Sequence, residues 1–299
     1  MTPLITSCPR CGLSFEALDG MGCPGCTEVA GSQYPPTVRA PDPSHLGMAF
    51  LVWAASVGAM LAFQLVALLI YFGIKVLLTG TRPELQLTAG LALITLGGTV
   101  AGHLVTLAFC WWVVTVGGQR PFFATLGWRW HHQFRWVHAV ALAMGMLLLA
   151  IALERVLPHG ETDFERLLQL STSVRIAIAL IAVLSAPLVE EVVYRGVLYS
   201  ALAKARGAKF GVIVVTILFA LVHAPQYWGS PAAIVAIISL SLVLTLVRAG
   251  TGQLLPCVAT HFVFNGVQAI TLLVSPPTRS DAVTTAVSYA LGRAIGLDY

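Results

Sequence analysis

From Met48 onward the chain is a succession of long apolar stretches separated by short polar breaks. A helix rises about 1.5 Å per residue, so roughly 20 apolar residues cross about 30 Å of hydrocarbon. Seven stretches meet or approach that length, near 48–74, 89–116, 136–157, 174–203, 210–224, 231–247 and 254–275. An eighth, at 282–297, is weakly apolar, with Thr284, Ser288, Arg293 and two glycines, and fits either a further span or an interfacial helix. The fourth stretch carries Pro187 near its middle, which removes a helix hydrogen bond and predicts a kink or tilt. The pattern predicts an all-α polytopic membrane protein with seven to eight transmembrane helices.

Composition sharpens this. Hydrophobic residues make up 57% of the 299 and charged residues only 10%, with a mean hydropathy of +0.84. One globular core cannot hide that much apolar surface from water, which excludes a simple soluble enzyme. The net charge of +4 comes from 17 basic and 13 acidic residues, with no run of five like charges, so no nucleic-acid partner is expected. With the N-terminus inside, Arg120, Arg129 and Arg135 fall in one inner loop, Lys204, Arg206 and Lys209 in a second, and Arg248 in a third. The acidic cluster Glu154, Glu161, Asp163 and Glu165 then lies outside. This predicts a multi-pass integral membrane protein with a cytosolic N-terminus, in the plasma membrane if the source is bacterial. Trp128, Trp130, His131, His132 and Trp136 read as an aromatic belt at the membrane surface. The halves of the membrane region show no matching pair of Gly/Pro-broken helices, which argues against a transporter.

Residues 1–35 are polar and rich in Gly and Cys, residues 36–47 form a Pro-rich linker, and 48–299 form the membrane domain. Cys8-Pro-Arg-Cys11 and Cys23-Pro-Gly-Cys26 are two CxxC knuckles separated by eleven residues. That spacing suits tetrahedral zinc held by four thiolates, and a piece this small without a core needs such a staple. A redox dithiol pair is the other reading. Residues 1–35 are therefore expected to be a zinc-ribbon-like domain with structural zinc, able to dock a protein partner. Four sulfur ligands leave no open position for a substrate. Cys110 and Cys257, in apolar surroundings, are expected to be packing residues.

Against clean apolar helices, Glu190, Glu191, Arg195, His223, His261 and Asn265 stand out. An ionisable group at mid-membrane depth costs about 2.5–3.5 kcal/mol on insertion scales, so such groups face a cavity or one another. His103 and His138 have no carboxylate or second histidine at helical spacing and read as packed or interhelical hydrogen-bonding residues. Glu191 and Arg195, at i,i+4, can pair. Glu190 is turned about 100° from Glu191 around the helix and is left free for other work. Phe219 and His223 share a face of the next helix, as do His261 and Asn265 of the seventh. Counted from the inner helix ends, all three helices bring these groups to one depth. A carboxylate and a histidine can activate water, and a second histidine with an amide can donate to the oxyanion formed on a peptide carbonyl. Two other readings stand beside peptide hydrolysis: a buried polar network that only fixes helix register, and a metal site of two histidines and a carboxylate, for which no HExxH is present.

The motifs EExxxR at 190–195, FxxxH at 219–223 and HxxxN at 261–265, in that order, resemble the CPBP family of CAAX-protease and bacteriocin-processing intramembrane endopeptidases, which includes the type II CAAX prenyl protease. The resemblance covers a core at about 174–275. It implies a helical membrane core with a glutamate-dependent site. It further implies Glu190 as general base on water assisted by His223, His261 and Asn265 as the oxyanion hole, and Glu191 and Arg195 as supports. No catalytic cofactor is implied on the glutamate mechanism, while a metalloprotease mechanism has also been described for the family. The implied substrate is a peptide or lipidated protein met at the lipid boundary. Some relatives serve in bacteriocin self-immunity, so a membrane scaffold that binds without cleaving is the alternative from another class.

Overall fold

The computed structural model describes residues 5–7, 14–16, 45–80, 86–158 and 160–274. The chain divides into two compact units, Met1–Ala40 and Pro41–Tyr299. In the first, β1 (Ile5–Ser7) pairs antiparallel with β2 (Ser14–Glu16), Ile5 opposite Glu16 and Ser7 opposite Ser14. Cys8, Cys11, Cys23 and Cys26 lie outside the described residues, as does the weakly apolar stretch at 282–297.

The second unit is all-helical among the described residues. Its elements are α1 (Leu46–Thr79), α2 (Ala89–Thr115), the short α3 (Phe122–Leu126), α4 (Trp136–Val156) and the short α5 (Asp163–Gln169). A long rod then runs over Thr172–Arg206. After it come α9 (Ala208–His223), a 3-10 turn (Ala224–Tyr227), α10 (Pro231–Thr251) and α11 (Leu255–Val274). The rod consists of α6 (Thr172–Leu180), a π turn (Ile181–Ser185), α7 (Ala186–Glu190), a π segment (Glu191–Leu198) and α8 (Tyr199–Arg206). Among the described residues seven helices are long and apolar enough to cross a membrane. Their outward side chains fit lipid rather than water: Leu61, Leu69, Ile213, Leu221 and Ile270 are all more than half exposed. The chain is an integral membrane protein.

Pro187 does not break the rod. It lacks the N–H that the Val183 carbonyl would accept in an α-helix, and its ring crowds that carbonyl. The backbone takes this up by widening into the π turn just before it, where the Ala186 N–H reaches back five residues to the Ile181 carbonyl. The following π segment is packed on every side, with all eight residues from Glu191 to Leu198 buried. Around it lies the largest apolar cluster, including Val52, Val114, Val192, Leu198, Leu202, Val215 and Phe219. Cys110 and Cys257 are free and buried.

Three placements differ from those read off the sequence. Arg248 sits inside α10 and is buried. It donates to the Gly252 carbonyl at 2.9 Å and to Ser200 Oγ at 3.2 Å, so it caps its own helix instead of marking a loop. His138 is exposed at the start of α4, where Nδ1 accepts the Arg135 backbone N–H at 2.8 Å; it satisfies an orphan donor of the first turn and makes no interhelical bond there. Lys204, Arg206 and Lys209, expected in the second inner loop, are all helical, because one residue, Gly207 at φ +88°, makes the whole turn between α8 and α9.

α1 and α2 approach closely through Gly98 and Gly102, one turn apart. A Cβ on Gly98 would lie 2.7 Å from the Phe63 carbonyl oxygen, whereas one on Gly97 meets nothing within 4 Å. Gly98→Ala is therefore expected to destabilise the protein by about 1–3 kcal/mol. Gly97→Ala should be neutral or stabilising, since alanine favours a helix by up to about 1 kcal/mol over glycine. Thermal unfolding of both variants in nanodiscs checks the contrast; equal melting temperatures would contradict the packing.

Candidate active site

Four elements meet at the centre of the membrane unit: the end of α7, the π segment that follows it, the C-terminal end of α9 and the middle of α11. Glu191 and Arg195 are both fully buried. Arg195 Nη1 donates to Glu191 Oε1 at 3.1 Å, Nε to Thr245 Oγ1 at 3.2 Å, and Nη2 to Ser241 Oγ at 2.8 Å and the Ser241 carbonyl at 3.0 Å. Its guanidinium also lies 4.7 Å from the Phe219 ring centroid. All three nitrogens of this cation thus donate, to one carboxylate, two α10 side chains and one α10 carbonyl, and its face lies against an aromatic ring. Such saturation makes a charge tolerable in a dry interior.

The same Glu191 oxygen accepts from His261 Nδ1 at 2.9 Å. An ionised carboxylate has no hydrogen to give, so Nδ1 carries the proton of this bond. His223 is fixed in the same sense: Nδ1 lies 2.8 Å from the Phe219 carbonyl, which can only accept. Its ring stacks on Phe219 with centroids 4.4 Å apart. Both histidines therefore turn Nε2 inward. The group they face is Glu190, with Oε1 at 3.9 Å from His223 Nε2 and Oε2 at 3.8 Å from His261 Nε2. These separations are too long for direct hydrogen bonds, and a water to one side can reach both members of either pair. Glu190 and His223 remain about one-fifth exposed while His261 is buried, so the site opens on the Glu190 and His223 side.

Asn265 is one turn beyond His261 on α11, and its amide Nδ2 donates to the Ala182 carbonyl at 2.8 Å in the π turn. One of its two N–H groups is thereby committed to main chain, and the second is left over. Among the described residues no group of three or more His, Cys, Asp or Glu side chains has an arrangement suited to holding a metal ion.

Several neighbours carry no motif. Ser241 and Thr245 are the acceptors for Arg195, and their i,i+4 spacing in an otherwise apolar helix is a signal that a search for ionisable groups passes over. Tyr194 accepts from Trp53 Nε1 at 3.2 Å and sets its ring edge-on to Phe219 at 5.0 Å. His103, buried on α2, bonds Ser185 at 2.9 Å, the interhelical use expected of it, and lies within electrostatic range of Glu190.

Arg195→Met would leave Glu191 charged and buried beside one histidine. The expected cost is about 3–5 kcal/mol. The double variant Glu191→Leu/Arg195→Met should regain much of that loss, because no uncompensated charge remains. Thermal unfolding of wild type, single and double variants measures this, and a double variant no better than the single would contradict the pairing.

Compared with curated proteins and with solved structures, the chain finds no match in either. Against models of protein families, residues 172–267 match the one described as Type II CAAX prenyl endopeptidase Rce1-like. The match begins at the start of the rod and ends just past Asn265, so it takes in every side chain of the site on α7, the π segment, α9 and α11. The family is one of proteases, and its substrates are peptides or prenylated proteins met at a membrane. Residues 172–267 are thus an Rce1-like domain, in keeping with the CPBP membrane proteases.

Proposed function

We propose that the protein is an intramembrane endopeptidase that hydrolyses a peptide bond near the C-terminus, or in a membrane-associated segment, of a peptide or lipidated protein. The observation that carries this reading is the convergence of two histidine Nε2 atoms on the Glu190 carboxylate at 3.8 and 3.9 Å, each ring held by an acceptor on its far nitrogen. A water beside Glu190 and His223 gives one hydrogen bond to the carboxylate and one to His223 Nε2. As its oxygen bonds to the scissile carbonyl carbon, its proton passes to Glu190. The carbonyl π electrons move onto oxygen, where His261 Nε2–H and the second N–H of Asn265 donate to the resulting oxyanion. Collapse re-forms the carbonyl, breaks the C–N bond, and Glu190 returns the proton to the leaving amine.

For His261 to donate from Nε2 it must carry both ring protons. Charge balance supports that state: Glu190 and Glu191 bring two negative charges and Arg195 one positive, and an imidazolium at His261 makes the cluster neutral. A neutral cluster is the inexpensive one within a bilayer. We place the N-terminus in the cytosol on the distribution of basic residues, and zinc on Cys8, Cys11, Cys23 and Cys26 as a structural ribbon for a protein partner.

Purified wild type in nanodiscs should cleave members of a peptide library that includes prenylated CAAX peptides. Glu190→Gln should lower the rate by about 10²–10⁴-fold, the usual worth of a positioned general base, without loss of folded protein. Activity should survive a chelator in the Cys8→Ser/Cys11→Ser background; loss there would replace the glutamate mechanism with a catalytic metal. If neither wild type nor variant cleaves while both bind a partner, the non-proteolytic scaffold or immunity reading takes its place. Metal analysis of the intact chain should find zinc that the Cys8→Ser/Cys11→Ser variant lacks, and equal zinc in both would overturn the ribbon.

A further inference from the structure

Pro187 and the π turn before it leave one main-chain acceptor stranded. In an α-helix the Ala182 carbonyl would accept from the Ala186 N–H, but that group is given to Ile181. In a continued π-helix it would accept from residue 187, which is proline and has none. The missing donor comes from another helix: Asn265 Nδ2, at 2.8 Å. On a second side of the same turn His103 Nδ1 meets Ser185 Oγ at 2.9 Å, and the Ser185 hydroxyl donates to the Ile181 carbonyl at 3.2 Å. Since that hydroxyl has one hydrogen, it accepts from His103, giving a chain from His103 through Ser185 to the carbonyl at which the π turn closes.

α2 and α11 thus grip the turn from two sides, and Glu190 follows it by one turn of helix. Dropping the extra residue of a π turn would rotate everything downstream by about 100°. Glu190 would then leave the face it shares with His223 and His261. We infer that His103 and Ser185, with Asn265 opposite, form a clasp on the Pro187 π turn, and that His103 is a positioning residue for Glu190. The clasp acts through the Nδ1 hydrogen bond. It rests on the reading of Glu190 as the base for its consequence in catalysis, and on geometry alone for its effect on where residue 190 points.

The test separates these. In the full chain in nanodiscs, Glu190→Cys is alkylated with a water-soluble maleimide and followed peptide by peptide by mass spectrometry, with the native cysteines in place. His103→Leu and Ser185→Ala should each change the rate at position 190 several-fold in the same direction, with no further change when combined. His103→Asn, whose amide puts a donor where Nδ1 was, should keep the parent rate. Ser185→Ala removes a single oxygen and serves if His103→Leu does not fold. An unchanged rate in both, or His103→Asn as altered as His103→Leu, overturns the clasp whether or not the protein cleaves anything. With Glu190 in place, the clasp predicts that His103→Leu lowers kcat about 100-fold, the cost of a misplaced group, at unchanged KM, and that His103→Asn restores it. Cleavage that survives Glu190→Gln counts instead against the proposed function.

Discussion

A carboxylate and a guanidinium buried together in a protein that lies in hydrocarbon are tolerable only when they are paired and hydrogen-bonded to their surroundings. The Glu191–Arg195 pair, both fully buried, is the constraint on which the rest of the membrane unit depends. Arg195 reaches α10 through Ser241 and Thr245 and α9 through the Phe219 ring, while Glu191 reaches α11 through His261. Moving any of these helices along its axis would strand a charge, at a cost of several kcal/mol. Depth and register around the site are thereby set by electrostatics, in a medium where apolar contact alone distinguishes poorly between helix–helix and helix–lipid faces.

The same pair sets the chemistry. By accepting at His261 Nδ1, Glu191 turns Nε2 of that ring toward Glu190, and the Phe219 carbonyl does the same for His223. Phe219 packs against the imidazole and the guanidinium together, so the supporting shell and the reacting groups share one aromatic ring. Glu190 makes no direct hydrogen bond to either histidine, and with His223 it lies beside the opening. A group that must take a proton and return it needs that freedom, and a rigid surround supplies its aim.

Much of this was legible in the sequence, for physical reasons. Apolar runs near 20 residues have few fates, so all seven spans lie where the pattern puts them, with ends that move by a few residues. The polar exceptions were legible because each is expensive in lipid, and Glu190, His223 and His261 are indeed the groups that meet. What local pattern does not carry is what a side chain bonds to across space. The acceptor for Asn265 is a main-chain carbonyl left without its helical donor where the backbone takes π register before Pro187, and the type of residue 182 does not announce it. Arg248 reads as a loop charge because its carbonyl and hydroxyl partners come from the helix end and from α8. Ser241 and Thr245 are too common in helices to flag themselves, although their spacing marks the face Arg195 uses.

The most direct measurement of the central arrangement is the protonation of the two site histidines, by nitrogen-15 solid-state NMR of the histidine-labelled chain in bilayers, with signals assigned by removing each residue in turn. The account predicts His223 as the neutral ring protonated at Nδ1, and His261 protonated on both nitrogens. A single proton on Nε2 of either ring would mean that the hydrogen bonds to the Phe219 carbonyl and to Glu191 are not those that orient the site, and would contradict the account.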